Sequence, residues 1–449
     1  MSARPSGFRF SRRRAALVSL ILSLAMLPGA IGHSQQSHRL PPLHGSRLLT
    51  EIQRRAVRFF WEQSHPKTGL TKDRARNFTQ KDTYTVASIA STGYALAALP
   101  IGVEHGWIPR QDAYRRALLT LRFLHDKMPH HHGWFFHFVD WRTGQRVWNC
   151  ELSSIDTALL LIGALTCGQY WPGTEVQRLA NALYDRVDWT WMLTNGGAQP
   201  QKRVLSHGWT PEKGFLTNNW DHYCELMFLY LLGLGSRRDP LPAESWTAWE
   251  RNVVSYGGRT TLAGGPIFMH QMAHGYYNFR DRRDNLGWDY WVSSVEATLM
   301  NRQYCLDRAG TRKTYGPNVW GLNASDGPDG YRAYGVLEEE DGTVSPTGAI
   351  ASVIFTPKLS TAVAQTLYTR FGEKLWGQYG FANAFNLDRD WVDPDVIGID
   401  LGMALIAIED HRTGLIWRLL ASHPSTPRAL QCAGFHVTHE PAPRPLHRR

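Results

Sequence analysis

Cysteine is scarce and scattered in this chain of 449 residues. Its five cysteines lie far apart, and no two have the Cys-x-x-Cys spacing of a zinc ribbon or a redox centre. A small odd number also excludes a scaffold held by several disulfides, so we expect mostly free, buried thiols. The cysteines are Cys150, Cys167, Cys224, Cys305 and Cys432.

No apolar run in the N-terminal region is long enough to cross a membrane. The run Ala15–Leu27 is shorter than the about 20 residues of a membrane span, follows Arg12–Arg14 and precedes a region of small residues. This pattern predicts a secretory signal peptide over residues 1–32, loosely of the twin-arginine type, and an exported protein that is periplasmic or extracellular. No membrane insertion is expected after the signal is removed.

A concentrated basic surface is also lacking. The net charge is +10, but much of the excess lies in the two terminal segments, and no stripe of Lys and Arg alternates with aromatic residues between them. This distribution excludes nucleic acid as a partner. Aromatic residues, by contrast, are abundant, with 18 Trp, 17 Tyr and 18 Phe, which fits either flat surfaces for sugar rings or a large aromatic core.

Helical patterns dominate the rest of the chain, and long alternating strands are few. A linker is predicted over residues 33–44, a disordered tail over 436–449, and one β-hairpin pairs 135–140 with 146–149. The predicted helices span residues 46–63, 85–99, 109–128, 153–167, 175–187, 221–234, 246–256, 289–309, 359–371, 399–409 and 413–421.

Several predicted helices share one layout, in which a loop with Trp or Gly leads to a carboxylate near the start of an apolar helix. Asp156, Glu225 and Asp400 each occupy this place. Helices that are apolar on all sides are buried, and their polar N-termini converge if they lie side by side in a ring. The pattern predicts an all-α toroid with an inner and an outer ring, forming one domain over residues 45–435 with a cleft at one end.

Carboxylates at helix starts suit acid–base chemistry on a glycosidic bond. Hydrolysis needs one acid that protonates the leaving oxygen and a second carboxylate across the sugar. Glu225 follows Trp220 and Tyr223, so desolvation is expected to raise its pKa as a general acid requires. Asp156, Glu151 and Asp400 are candidates for the second carboxylate. Taken singly, each of these residues also fits simple helix capping.

Three motifs together resemble the glucoamylase-like family, which includes bacterial β-1,2-glucan hydrolases and is similar to the C-terminal domain of cyclic β-1,2-glucan synthases. They are residues 150–158, 214–236 and 399–402, and the resemblance covers roughly residues 48–434. It implies an (α/α)6 barrel that hydrolyses β-1,2-glucan or its oligosaccharides. Glu225 matches the proposed general acid, and Asp156, Glu151 and Asp400 match other acidic positions of the family.

Further residues are predicted to contact an oligo- or polysaccharide substrate. His270 and His274 could share one helical face as zinc ligands do, but no third ligand is evident, so substrate hydrogen bonding is preferred and neither metal nor cofactor is predicted. The predicted substrate-binding residues are Trp148, Trp220, Asp221, His222, Tyr223, His270, Gln271, His274, Tyr276, Trp320 and Asp326.

Two other functions fit parts of the same pattern. A polysaccharide lyase on the same architecture would use Asn, His and Tyr, which Asn218, Asn219, His222 and Tyr223 supply. An acid at Glu225 would, however, repel the uronate that a lyase must bind. A non-catalytic sugar-binding toroid is the second alternative. The protein is expected to be a monomer.

Overall fold

The computed structural model describes residues 40–199 and 201–438. The predicted signal peptide over residues 1–32 lies outside the described residues, as do residues 33–39 of the predicted linker and 439–449 of the predicted tail. Within the described ranges the chain is rich in helix, with short paired strands between the helices.

The helices vary from one turn to five turns. They are α1 (Gly45–Glu62), α2 (Ile89–Glu104), α3 (Arg110–Asp126), α4 (Ser154–Tyr170), α5 (Glu175–Asp185), α6 (Thr194–Gly197), α7 (Met227–Gly235), α8 (Tyr290–Arg308), α9 (Pro346–Ala351), α10 (Pro357–Leu375), α11 (Gly398–Arg412), α12 (Leu415–Ala421) and α13 (Ser425–Cys432).

All strands are short, and each belongs to a sheet of two or three strands. They are β1 (Arg74–Arg76), β2 (Val86–Ser88), β3 (His130–His131), β4 (Trp134–Phe135), β5 (Phe138–Asp140), β6 (Leu152–Ser153), β7 (Gly208–Thr210), β8 (Gly214–Phe215), β9 (Val253–Tyr256), β10 (Arg259–Leu262), β11 (Arg282–Arg283), β12 (Ala324–Ser325), β13 (Arg332–Ala333), β14 (Trp376–Gly377), β15 (Gly380–Phe381), β16 (Phe385–Asn386), β17 (Trp391–Val392), β18 (Asp395–Ile397) and β19 (His436–Val437).

Among the longer helices of the described ranges, those that are apolar nearly all round and almost completely buried are α2, α4, α7 and α11. A helix without a polar face must be surrounded by protein. Helix α2 packs against α4 and α11, and α4 also packs against α7. Helices α1, α3 and α5 have one apolar face each and pack against this buried set. Among the described residues, no helix has both the length and the apolar character needed to cross a bilayer.

Glycine allows α2 and α4 to touch through their backbones. A Cβ atom on Gly93 of α2 would collide with the backbone of Leu159, and one on Gly163 of α4 would collide with the backbone of Gly93. Any larger residue at either position would therefore push the helices apart. The close contact fixes the relative position of two helices whose N-terminal ends reach the same cavity.

The helix predicted to begin at Asp221 begins instead at Met227. The preceding residues are held by long-range backbone bonds: the N–H of Trp220 donates to the carbonyl of Leu205, and that of Tyr223 donates to Glu250. These partners hold residues 220–226 in bends and turns instead of a helix, and local sequence patterns do not reveal them. Glu225 accordingly lies just before the helix rather than within its first turn.

The prediction of a helix over residues 246–256 is wrong. Ala243–Trp246 forms a single 3₁₀ turn, and Val253–Tyr256 is strand β9, which pairs with β10. Gly257 and Gly258 connect the two strands, both with positive φ, as a tight hairpin turn requires.

The predicted hairpin of residues 135–140 and 146–149 survives only as a bridge between Val139 and Arg146. Strand β5 pairs instead with β2, and Trp148 and Asn149 have positive φ, which ends any extended pairing there. The predicted tail also starts too early, because β19 pairs with β11.

Candidate active site

A cavity of about 350 Å³ opens where the N-terminal ends of the buried helices meet. Ser88 caps α2, Asp156 lies in the first turn of α4, and Asp400 lies in the first turn of α11. Glu225 reaches the same cavity from the residues before α7. The structure thus brings together three of the four predicted catalytic carboxylates, as expected from apolar helices with polar starts.

Glu225 is a carboxylic acid with little to stabilise its charge. Burial raises its pKa to about 7, and the nearby carboxylate of Asp156 adds to this effect, while a hydrogen bond with the thiol of Cys224 opposes it. A carboxyl group with this pKa keeps its proton in a large fraction of molecules near neutral pH. It can therefore donate a proton to a leaving group.

Asp400 is also deeply placed, but amide groups contact both of its carboxylate oxygens. Nδ2 of Asn383 donates to Oδ2 at 2.6 Å, and Nδ2 of Asn323 donates to Oδ1 at 3.4 Å. Burial raises the pKa of Asp400 to about 7, and the hydrogen bond from Asn383 limits the rise. Since both oxygens accept, this site suits the ionised form once the proton is lost.

Asp156 combines capping with a position on the cavity wall. Oγ of Ser153 accepts a hydrogen bond from the backbone N–H of Asp156 at 3.2 Å and donates one to Oδ2 of its side chain at 2.6 Å. Nε2 of His137 lies 3.4 Å from the same oxygen. The helix-capping interpretation and the site interpretation therefore both apply to this residue, and Oδ1 remains available to the cavity.

Glu151 lies behind His137 and does not line the cavity. Its Oε1 is 2.9 Å from Nδ1 of His137. Burial works against ionisation of Glu151, but the hydrogen bond and charge of His137 hold its pKa below the usual range. Conversely, burial tends to lower the pKa of His137, but the carboxylates of Asp156 and Glu151 raise it to about 9. His137 is thus an imidazolium at neutral pH.

His137, Glu151 and Asp156 are also the residues that could hold a metal ion. Within the described part of the chain, this is the group whose possible ligand atoms lie within 4.8 Å of one another. A metal would have to displace the protons that His137 shares with the two carboxylates. The observed ion pairs already engage all three side chains.

An arginine on strand β1 completes the cavity wall. Nη1 of Arg74 is 2.7 Å from Oδ2 of Asp326, and its Nε is 3.2 Å from Oδ2 of Asp73. Burial raises the pKa of Asp73, and the charge of Arg74 opposes that rise. Asp326, predicted to bind substrate, thus positions Arg74 at the edge of the site. Asn383 accepts a hydrogen bond from the backbone N–H of Asp326 at 3.0 Å, which connects this group to Asp400.

Sequence reasoning missed several residues of this wall, including Asp73, Arg74, His137 and Tyr331. Asp73 and Arg74 lie in a short charged run without a helical or alternating pattern, and the predicted strand 135–140 gave no sign that His137 faces a cavity. The available signal was the concentration of charge in residues 72–76, between the predicted helices 46–63 and 85–99.

Two predicted sugar-contacting aromatics are structural. Trp220 is buried, stacks on His207 with ring centroids 3.9 Å apart, and donates from Nε1 to Oγ of Ser154. Tyr223 is buried as well, with its hydroxyl 3.2 Å from Nδ1 of His270. Their polar atoms are directed into the protein because burial requires a partner for each.

Asp221 and His222 lie at the surface outside the cavity. Nδ1 of His222 is 2.8 Å from Oδ1 of Asp221, and its Nε2 is 3.3 Å from Oε2 of Glu250. The structure does not bring either residue to the cavity wall.

Five of the predicted substrate-binding residues, all between residues 270 and 320, are buried in the core. Gln271 donates to the carbonyl of Gly348 and to Oγ of Ser352, and Nε2 of His274 is 3.0 Å from Oγ of Ser294. Burial lowers the pKa of His270 to about 4 and that of His274 to about 3. The structure does not bring this group to the cavity wall; its members are His270, Gln271, His274, Tyr276 and Trp320.

The sequence pattern predicted one helical face for His270 and His274. In the structure His270 ends one 3₁₀ turn and His274 lies in a second. Of the predicted aromatic contacts, Trp148 alone is widely exposed, at 64%.

Taken together, the cavity presents a protonatable carboxylic acid, a second carboxylate with amide donors, and a third carboxylate paired with an imidazolium. The first two are the acid and the carboxylate that acid–base cleavage of a glycosidic bond requires. Comparison with known proteins points to the same class. Residues 217–424, which include Glu225 and Asp400, match the family described as "Putative glucoamylase". The predicted resemblance to the glucoamylase-like family is confirmed.

Relatives with named activities support this placement. An exo β-1,2-glucooligosaccharide sophorohydrolase (non-reducing end) of Parabacteroides distasonis is 28% identical over 435 residues, covering 87% of this chain and 58% of that protein. The chain thus spans less than two thirds of that relative's length.

Two solved structures share the fold. An endo-β-1,2-glucanase from Chitinophaga pinensis is 26% identical, with a TM-score of 0.78, and the match covers 87% of this chain and 98% of that one. A β-1,2-glucanase from Parabacteroides distasonis is 25% identical, with a TM-score of 0.80, covering 88% of this chain and 60% of that one.

Proposed function

We propose that the protein is a glycoside hydrolase that cleaves β-1,2-glucan or β-1,2-glucooligosaccharides. The observation that carries this proposal is Glu225, a carboxylic acid with a pKa of about 7 that faces the same cavity as Asp156 and Asp400. The named activities of the relatives from Parabacteroides distasonis and Chitinophaga pinensis support the choice of linkage.

The three carboxylates take different roles. Glu225 protonates the leaving oxygen, because its pKa keeps a proton available near neutral pH. Asp400 serves as the base that activates water, since both of its oxygens accept amide hydrogen bonds and its pKa is also about 7. Asp156, whose Oδ2 is engaged by Ser153 and His137, orients a sugar hydroxyl through Oδ1. Glu151 supports His137 and does not touch substrate.

The proposal also includes the barrel type, the single domain and the export of the protein. The buried helices α2, α4, α7 and α11, beside the amphipathic α1, α3 and α5, support an (α/α)6 barrel within a single domain over residues 45–435. Residues 1–32 act as the signal peptide of an exported monomer, periplasmic or extracellular. Sequencing the N-terminus of the mature protein tests the signal peptide directly.

A lyase that acts on an acidic polymer has weaker support. The cavity wall carries Asp73, Asp156, Glu225 and Asp400, and the guanidinium of Arg74 is already paired with carboxylates. A uronate chain would meet like charges there. Tyr223, which a lyase would need, is buried.

The experiment that tests this proposal measures hydrolysis and lyase cleavage on two polymers. The purified protein is incubated with β-1,2-glucan and with alginate, and both reducing ends and the absorbance of an unsaturated uronate are measured. We expect reducing ends from β-1,2-glucan alone, without absorbance, and their loss in Glu225→Gln. Glu373→Gln, on the exposed face of α10, is the matched control that keeps its activity. Absorbance from alginate, or full activity of Glu225→Gln, contradicts the proposal.

A further inference from the structure

A second groove of about 460 Å³ adjoins the catalytic cavity, and Arg74 lines both. Its wall is formed by residues 74–76 of β1, residues 81–86, Trp148 from the segment before α4, and Asp395 of β18. The residues that matter for its chemistry are Arg74, Arg76, Lys81, Tyr84, Trp148 and Asp395. A ligand that fills the catalytic cavity can therefore continue past Arg74 into this groove.

Trp148 is held at the groove in a costly conformation. It is 64% exposed, and both it and Asn149 have positive φ, at 56° and 51°. Such backbone strain persists only where the surroundings enforce it, and it is common at functional sites. An exposed indole on a strained loop loses stability without a compensating gain from burial.

Arg146 fixes the conformation of this loop through hydrogen bonds and an ion pair. Its guanidinium donates to the carbonyl oxygens of Asn149 and Cys150 and forms a two-point ion pair with Glu212, at 2.6 and 3.0 Å. The Trp148 ring is therefore presented on a fixed support even though it is exposed. A rigid aromatic surface of this kind binds a flat partner with little loss of conformational entropy.

Phe138 joins Trp148 to the catalytic cavity. Their ring centroids are 5.2 Å apart at 60°, and Phe138 also lines the cavity that contains Glu225. The indole therefore stands beside the path from the reacting bond into the groove.

Two of the three cations that line the groove are paired with carboxylates. Nη1 of Arg74 is 2.7 Å from Oδ2 of Asp326, and Arg76 is 3.2 Å from Asp395. Since Asp82 and Asp395 also line the groove, it favours an uncharged ligand with many hydroxyl groups over an anionic one. Ion-paired side chains offer hydroxyl groups both hydrogen-bond donors, from the cations, and acceptors, from the carboxylates.

We propose that this groove binds glucosyl units of the substrate outside the bond that is cleaved, with Trp148 as the stacking platform. The inference rests on the proposed function, because the occupant is the same glucan chain. The groove then sets the preference for substrate length: a chain long enough to reach Trp148 gains binding energy that a short oligosaccharide does not. Arg76, Lys81 and Tyr84 hydrogen-bond its hydroxyls.

The test measures kcat/KM for a long β-1,2-glucan and for the shortest oligosaccharide that the wild type hydrolyses. In Trp148→Ala the ratio of kcat/KM for the long glucan to kcat/KM for the short oligosaccharide is expected to fall about tenfold, as for loss of an aromatic anchor. Trp148→Tyr keeps most of the ratio because it retains an aromatic face. Leu286→Ala removes another exposed apolar side chain, which lies outside both cavities and is 49% exposed, and serves as the control with an unchanged ratio.

The possible outcomes separate this inference from the proposed function. Suppose that the wild type hydrolyses both substrates. If Trp148→Ala then lowers kcat/KM equally for both substrates, or lowers it for neither, the groove does not bind the glucan chain. If the wild type hydrolyses no β-1,2-glucan, the proposed function itself has failed. Thermal unfolding of Trp148→Ala should match the wild type, and a lower Tm together with an unchanged ratio also overturns the inference.

Discussion

Nε2 of His137 lies 3.4 Å from Oδ2 of Asp156, on the wall of the cavity that also contains Glu225. The other ring nitrogen, Nδ1, lies 2.9 Å from Oε1 of Glu151. The imidazole thus joins a carboxylate at the cavity to one behind it. The charge of the Asp156 carboxylate helps to raise the pKa of Glu225.

The pairing predicts a pH-dependent contribution to stability. The pKa of His137 is about 9 in the folded protein, against an ordinary value of 6.5. Since the folded state binds the proton more tightly, the stabilisation is complete below about pH 6.5 and disappears as the pH rises through about 9. His137→Asn should therefore lower the free energy of unfolding by about 1–2 kcal/mol more at about pH 6 than at about pH 10. Urea titrations at both pH values measure this, and a pH-independent loss contradicts it.

Glu225→Gln should reduce kcat on β-1,2-glucan by about 10²- to 10⁴-fold, the usual contribution of a general acid. An aryl β-glycoside whose leaving group needs no protonation should be cleaved by this variant with a much smaller loss. Initial rates on the two substrates provide the comparison. Equal losses on both would mean that Glu225 acts by positioning substrate rather than by donating a proton.

Asn383→Ala should move the acid side of the pH–rate profile. Activity requires Asp400 ionised and Glu225 protonated, so kcat/KM falls on both sides of about pH 7. The hydrogen bond from Asn383 lowers the pKa of Asp400, so its removal should shift the acid limb upward by about half to one pH unit and leave the alkaline limb in place. Asn323→Ala, which removes the longer bond of 3.4 Å, should give a smaller shift. An unmoved acid limb would remove Asp400 from the role of base.

Tyr223→Phe tests the structural role assigned to a residue that sequence reasoning placed at the substrate. The variant removes the hydroxyl that lies 3.2 Å from Nδ1 of His270. The free energy of unfolding should fall by about 1 kcal/mol, the typical value of such a bond. KM for β-1,2-glucan should stay unchanged within error. A large rise in KM without loss of stability would return Tyr223 to the substrate site.

Much of the candidate site follows from sequence where a carboxylate opens an apolar helix. Asp156 and Asp400 could be placed because α4 and α11 are long, apolar and fully buried, so their first turns had to meet other polar ends. Glu225 was found as well, even though α7 begins later than predicted.

The remainder of the site depends on contacts that local patterns do not encode. Arg74 is placed by the pairing of β1 with β18, more than 300 residues further along the chain, and His137 by the pairing of β2 with β5. The error at His270 and His274 has the opposite origin, because a spacing of four residues suggested a helix where two 3₁₀ turns pack into the core.

The proton that Glu225 holds near neutral pH can be observed directly by a difference infrared titration, in which the protonated-carboxyl band of the wild type is compared with that of Glu225→Gln. A band that is absent from Glu225→Gln should disappear in the wild type with a midpoint near pH 7. A midpoint close to the ordinary value of 4.5 would contradict the role of Glu225 as the general acid, because Glu225 would then be ionised at neutral pH.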